Sequence, residues 1–259
     1  MIEFMLSLST WVGCLLAMLI TTGCGLVVYL LSYKFISKYK GDELKETTSS
    51  LFQVVGMLVS LMLSLAFAEV VIDLTAIENA IEREAVAISD IFGDLQLYDL
   101  EGTREIQTIL VDYTQATVDD DWPSLANDRL GELAESLSKQ LEASVMNLEP
   151  ATPLQKYLWS RILADLDVAS DFRLIRLDNA LAEPPVYISV VFFGFLITMA
   201  CFGTYQPQVP VLALVSLYTV FIGLVLYLIL ALSDPFKGGF AVDPITLEHL
   251  AETLRAKLG

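Results

Sequence analysis

The chain is poor in the side chains that carry enzyme chemistry. It has one histidine, His249, and three cysteines, Cys14, Cys24 and Cys201. Nucleophilic catalysis needs a base within reach of a hydroxyl or thiol, and a single tail histidine provides no Ser/His/Asp or Cys/His arrangement. His249 reads as an ordinary surface residue. A diiron bundle would need paired Glu-x-x-His, which is missing. The three thiols all fall inside apolar runs, where they read as small apolar side chains rather than as a disulfide or metal set. No cofactor and no resident metal is expected, and the protein is not expected to be an enzyme. Glycine-rich phosphate loops, period-2 alternation and internal repeats are missing too, which leaves an all-α reading.

Basic residues are also scarce: 15 Lys plus Arg stand against 32 Asp plus Glu, a net charge of -17. The excess is local. Between Asp73 and Glu183 there are 23 acidic and 8 basic side chains. A surface so acidic repels nucleic acid and concentrates inorganic cations, so no nucleic-acid partner is expected.

Charge is missing from all or nearly all of four stretches, and these give the chain its class. With 55% hydrophobic residues and a mean hydropathy of +0.60, the sequence is too apolar for an ordinary soluble protein. The runs are Phe4 to Phe35, uncharged until Lys34; Leu51 to Val71, uncharged until Glu69; Val186 to Thr204; and Val209 to Leu232. About 20 helical residues cross a hydrocarbon core of about 30 Å, so each fits a membrane span. The first lacks a basic leader and is about twice the length of a signal-peptide core, so it is expected to remain as a helix.

No Pro or Gly lies between Gly56 and Gly93. The second span is therefore expected to continue past the lipid as one helix to Leu97, with Ile77, Ile81, Ile88, Phe92 and Leu95 on one face and Glu78, Glu82, Glu84, Asp90 and Asp94 on others. Three more helices follow. One runs from near Thr103 to the Asp119-Asp120-Asp121 triplet, with Ile106, Ile109, Leu110, Tyr113 and Val118 as its stripe. Another runs from Pro123 through Leu130, Leu133, Leu137, Leu141, Val145 and Leu148. The last begins at Thr152-Pro153-Leu154-Gln155, a capping-box pattern, and carries Leu158, Ile162, Leu166, Ala169, Phe172 and Ile175 to about Ala182. Glu183-Pro184-Pro185 ends it.

The fold expected is all-α, a four-span helical membrane protein with an elongated helical bundle inserted between spans two and three. Its parts are 1–72, two spans and a lysine-rich connector; 73–185, the acidic helical domain; 186–232, spans three and four; and 233–259, a short tail. In the tail Leu247, Leu250, Leu254 and Leu258 make an amphipathic piece for the membrane surface or a neighbouring helix. Lys34, Lys38, Lys40 and Lys45 in the first connector place it in the cytoplasm by the positive-inside rule, which makes the acidic domain extracytoplasmic. Arg173 and Arg176, before span three, count the other way.

Three sets of residues are candidate sites. In span two, Gly56, Ser60, Ser64 and Ala68 recur every fourth residue with Phe67 beside them; such a stripe either packs closely against another helix or lines a pore. Glu69 and Asp73 stand where that span leaves the lipid, and carboxylate rings at a mouth select cations. Asp119, Asp120 and Asp121 offer oxygen ligands to a cation, or cap the helix that follows. Span one has its own series of small residues, Gly13, Ala17, Thr21 and Gly25, which reads as helix packing.

The order of features also resembles a known family. Two spans, a helical domain opening with Glu84-Ala85, then Tyr113 and Trp122, Pro184 before span three, and Asp234-Pro235-Phe236 with Gly238 after span four are similar to the bestrophin-like membrane proteins of bacteria and plastids. The resemblance implies a four-span homo-oligomer in a bacterial inner or plastid-type membrane and, by analogy with bestrophin chloride channels, an ion channel with its helical domain in the cytosol. Charge alone favours cations; the analogy favours anions. The function expected is an oligomeric ion channel with span two lining the pore and the acidic domain as vestibule. The alternative is a non-conducting membrane scaffold or sensor whose helical domain binds a partner or ligand.

Overall fold

The computed structural model describes residues 10–36, 38–39, 41–99, 102–180 and 187–259. The start of the first apolar run, Lys40, and the Ala182 to Val186 boundary with Pro184 lie outside them. The helices are α1 (Thr10–Ile36), α2 (Asp42–Tyr98), α3 (Arg104–Ala116), α4 (Trp122–Leu125), α5 (Glu132–Met146), α6 (Pro153–Ala180), α7 (Tyr187–Phe202), α8 (Val209–Leu232) and α9 (Ile245–Leu258). A π-helical turn, Thr117–Asp121, joins α3 to α4, and a 3₁₀ turn, Gly238–Phe240, follows α8. No strand occurs among the described residues.

α2 is a single helix of 57 residues, in keeping with the lack of any breaker between Gly56 and Gly93. α1, α2 and α8 are long and apolar enough to cross a membrane. α7 is equally apolar but has 16 residues, about 24 Å of helix against a core of about 30 Å. It ends at Phe202 because the chain turns there, with the Gly203 amide bonded to the Ala200 carbonyl. Among the described helices, three rather than the expected four therefore reach spanning length.

The chain divides into two compact units, residues 1–72 with 183–240 and residues 73–182 with 241–259. In the first, Val59, Leu63, Ala66 and Val70 of α2 pack with Val191, Phe195 and Met199 of α7 and Val215, Ile222 and Ile229 of α8. α1 lies on α8. Its small series is used there as expected: Gly13, Ala17, Thr21 and Gly25 are buried, and the Thr21 hydroxyl donates to the Thr219 carbonyl at 3.2 Å. A Cβ on Gly223 would strike Thr21 and the α1 backbone, so the glycine sets how closely the two helices approach. After α8, Gly238 takes a positive φ of 77° that only glycine adopts freely, closing the Asp234-Pro235-Phe236 exit over a buried Phe236.

In the second unit α3 is buried on most of its circumference, which makes it the central helix. The second half of α2 brings Ile77, Ile81, Ile88, Ile91 and Leu95 to the core; α5 brings Ala134, Leu141 and Val145; α6 brings Leu158, Ile162 and Ala169. The capping box is built as the sequence implies: the Gln155 amide donates to Thr152 Oγ1 at 3.1 Å, and Gln155 Oε1 accepts from the Thr152 amide at 3.0 Å. The tail helix docks on α3 rather than lying free, with Leu247, Ala251 and Leu254 buried.

One expected helix is broken. The chain from Pro123 to Leu148 is α4, a turn, and α5, with Asp128 in the left-handed region at φ 55°. The cause is the acidic triplet. Asp120 Oδ2 accepts from the amides of Leu133 and Ala134 at 2.8 and 3.2 Å, so it caps α5 rather than the helix that follows it directly. Gly131 makes room: a Cβ there would meet the Asp120 and Asp121 carboxylates. Leu130 and Leu133, expected in the stripe, are exposed.

Candidate functional site

The apolar half of α2 has two unlike sides. Val59, Leu63, Ala66 and Val70 recur at helical spacing and are buried against α7 and α8. The candidate stripe lies elsewhere on the helix: Ser60, Ser64, Phe67 and Ala68 are exposed and Gly56 is half-buried. A Cβ on Gly56 would meet nothing within 4 Å. The Ser60 hydroxyl turns back to its own helix and donates to the Gly56 carbonyl at 2.8 Å. Packing within this chain therefore gives no reason for these residues to be small. Around the same uncovered side stand Leu61, Leu65 and Ile72, all exposed. Large aliphatic side chains without a cover suit lipid or another copy of the helix.

Glu69 and Asp73 are exposed as well. At about 100° per residue, Glu69 lies about 160° around the helix from the middle of the stripe. Stripe and carboxylates therefore occupy opposite flanks of the uncovered side, and a straight α2 turns only one of them directly to any single axis.

In the second unit the sequence reading places Glu84 and Asp94 on outer faces, and the structure corrects this: both are buried. Ile77, Ile81, Glu84, Ile88, Ile91 and Leu95 are spaced at 4, 3, 4, 3 and 4, so Glu84 belongs to the core stripe by position. The same holds in α6, where the buried series runs Leu158, Ile162, Ala169, Arg173, Arg176 and Ala180, while the expected Ile175 faces outward. The spacing was the available signal. Polarity hid it, because a charge in a core position is costly unless paired.

Here the charges are paired. Arg176 Nε meets Glu84 Oε2 at 3.0 Å, and Arg176 Nη2 meets Glu84 Oε1 and Asp121 Oδ2, each at 3.2 Å. The Tyr113 hydroxyl donates to Glu84 Oε1 at 3.0 Å. Trp122 lays its ring 5.1 Å from the Arg176 guanidinium carbon and donates its Nε1–H to the Val242 carbonyl. Arg173 extends the network through Asp121 at 3.5 Å and Glu135 at 2.6 Å. Burial, and then the Glu84 charge, push the Tyr113 hydroxyl above its ordinary pKa. Burial also raises Asp121, against the pull of Arg176 and Arg173. Burial works against the charge on Arg176, but the groups around it, Glu84 first and then Tyr113 and Asp121, together more than compensate, so the guanidinium stays protonated. The network fastens α2, α3, α6 and the π-helical turn together. Because Arg173 and Arg176 are held by carboxylates, their charges are poor votes on topology.

The triplet thus goes three ways: Asp119 accepts from Gln115 at 2.8 Å, Asp120 caps α5, and Asp121 joins the arginines. No group of three or more metal-ligating side chains occurs among the described residues. His249 is exposed on α9, 3.8 Å from Glu252.

Residues 19–247 match the model of a Bestrophin-like domain. No curated protein matches the sequence. Among solved structures, a mutant of a bacterial Bestrophin homolog from Klebsiella pneumoniae aligns over 94% of this chain and 97% of its own at 14% identity, with a TM-score of 0.67. Another structure of the Klebsiella pneumoniae homolog, phased on zinc, aligns over 94% and 96% at 15% identity, TM-score 0.66. A structure described as a membrane protein with a proline-to-alanine change aligns over 94% and 96% at 15% identity, TM-score 0.64. The two folds are the same at this level. Of the residues that carried the resemblance in the sequence, Glu84 and Trp122 contact Arg176 and Tyr113 joins them through Glu84.

Proposed function

The chain belongs to the Bestrophin-like family, and from that premise we propose that it is an integral membrane protein that assembles with copies of itself into an ion channel. The observation that carries the reading is the uncovered side of α2. Ser60, Ser64, Phe67 and Ala68 of its stripe are exposed among the described residues, which is what a helix that surrounds a shared axis requires. In this reading Gly56, Ser60, Ser64, Phe67 and Ala68 line the path, and α7 serves as the fourth span.

Glu69 and Asp73 then act at the mouth through their field rather than by lining the path. A charge within a Debye length of about 10 Å still shapes the local potential. Together with the acidic second unit as vestibule, they favour inorganic cations; the bestrophin analogy favours anions. The test is current across a lipid bilayer containing the purified protein under a salt gradient. Conduction supports the channel, and the sign of the reversal potential assigns the ion. Reproducible silence from protein shown to be inserted would leave the alternative, a non-conducting scaffold or sensor.

A further inference from the structure

Two adjoining cavities at the connector end of the first unit have no part in the conduction reading. One, about 550 Å³, is a polar cleft walled by Tyr33, Tyr39, Lys45, Tyr205, Gln206 and Gln208. The other, about 420 Å³, is a largely apolar slot bounded by Phe52, Phe202 and Leu214. Tyr205 and Val211 line both, so the cavities share a wall.

On α2, α7 and α8 alike the slot lies further from the connector end of the helix than the cleft does. α2 meets the cleft at Leu44 and Lys45 and the slot at Thr48, Ser49 and Phe52, one to two turns further toward its apolar run. Gln208, just before α8, lines the cleft and Leu214 within α8 lines the slot, and the end of α7 leads from Cys201 and Phe202 in the slot to Thr204 in the cleft. The shared wall is fixed: Tyr29, fully buried, donates to the Tyr205 carbonyl at 3.3 Å, and Ser32 donates to the Ala200 carbonyl at 2.6 Å. Phe52 and Phe202 meet edge to face with centroids 5.0 Å apart.

A tyrosine-lined cleft with one lysine in its wall, at the end of apolar helices and adjoining an apolar slot deeper along the same helices, has the outline of one amphipathic molecule. We propose that it binds one anionic glycerophospholipid, with the phosphate beside Lys45, the headgroup hydroxyls among Tyr33, Tyr39, Gln206 and Gln208, and an acyl chain against Phe52, Phe202 and Leu214. Tyrosine suits headgroup depth, and a basic pocket between membrane helices recognises an anionic headgroup. On a chain of net charge -17, Lys45 is what turns this cleft toward a negative ligand.

Native mass spectrometry of the purified protein, titrated in detergent with phosphatidylglycerol, phosphatidylcholine or inorganic phosphate, tests the site. The expected result is one phosphatidylglycerol per chain, held about fivefold more tightly than phosphatidylcholine, the preference conferred by about one basic residue. Lys45→Gln should abolish that preference and Lys45→Arg should keep it. Leu214→Trp, and independently Ser49→Phe from the opposite wall, should weaken binding of both lipids by filling the slot. Equal binding of the two lipids, an unchanged preference in Lys45→Gln, or slot variants that bind as the parent would each overturn the proposal. Displacement of the lipid by inorganic phosphate alone would overturn it in favour of a free-anion site.

Discussion

Arg176 and Glu84 form a two-pronged ion pair in which neither side chain is exposed: Nε to Oε2 at 3.0 Å and Nη2 to Oε1 at 3.2 Å, across 92 positions of sequence. Removing one partner leaves the other charged and buried. Glu84→Gln or Arg176→Met is expected to destabilise the second unit by about 3–5 kcal/mol. The double variant should lose less than the sum of the two. Chemical unfolding followed by circular dichroism measures both, and additive losses would show that the pair is not coupled.

The network also has an acid-sensitive edge. The Glu135 carboxyl is held below its ordinary pKa first by its hydrogen bond to Arg173 and then by the one to Lys139. A lowered carboxylate stabilises above its unfolded pKa and loses that contribution as pH falls through the folded value. The Tm gap between the parent and Glu135→Gln should be widest near neutral pH and close as pH falls below the ordinary carboxylate range. Glu135 is partly exposed, so salt should narrow the gap.

Asp165 behaves in the opposite sense. Burial raises its pKa first, Asp90 and Asp94 raise it further, and Arg161 opposes them. Stability linked to a raised carboxyl is greatest at low pH and is lost as pH rises through the folded value. Asp165→Asn is therefore expected to raise Tm at pH 7, with the gain vanishing below about pH 3.5. A loss at pH 7 would mean that the Arg161 contact outweighs the repulsion.

The two sides of α2 predict separable effects. Leu63, buried under α7 and α8, is expected to cost about 2–5 kcal/mol when changed to Ala. Ser64 is exposed, so Ser64→Leu should leave helicity and Tm nearly unchanged while altering single-channel conductance. Equal damage to stability from both would contradict the division of the helix. Glu69→Gln should move the reversal potential away from cations by a small amount, because its charge acts from the flank.

Orientation is open to direct measurement. With Cys14, Cys24 and Cys201 replaced, a cysteine substituted for the exposed Ser136 should react with a membrane-impermeant thiol reagent from outside the cell, as the connector lysines imply. Reaction only from the cytoplasm would put the helical domain where the bestrophin analogy places it.

Much of the architecture was legible because it rests on local patterns. The uninterrupted α2, the Thr152/Gln155 capping box and the amphipathic tail helix each follow from spacing, capping chemistry or the absence of breakers, although spacing left open whether the tail helix meets lipid or a neighbouring helix. The break between α4 and α5 was not legible, since the carboxylate that caps α5 comes from Asp120, thirteen positions away from Leu133. The buried charges were half legible: Glu84, Arg173 and Arg176 continue apolar series at helical spacing, but only their meeting in space makes those positions tolerable.

The small-residue series show where sequence stops. Gly13, Ala17, Thr21 and Gly25 in α1 and Gly56, Ser60, Ser64 and Ala68 in α2 have the same four-residue period. By itself the sequence determined that both form narrow stripes on apolar helices. Only the tertiary structure decided that the first is buried while Ser60, Ser64 and Ala68 of the second are exposed among the described residues. A stripe is a property of one helix, and burial depends on which neighbour reaches it.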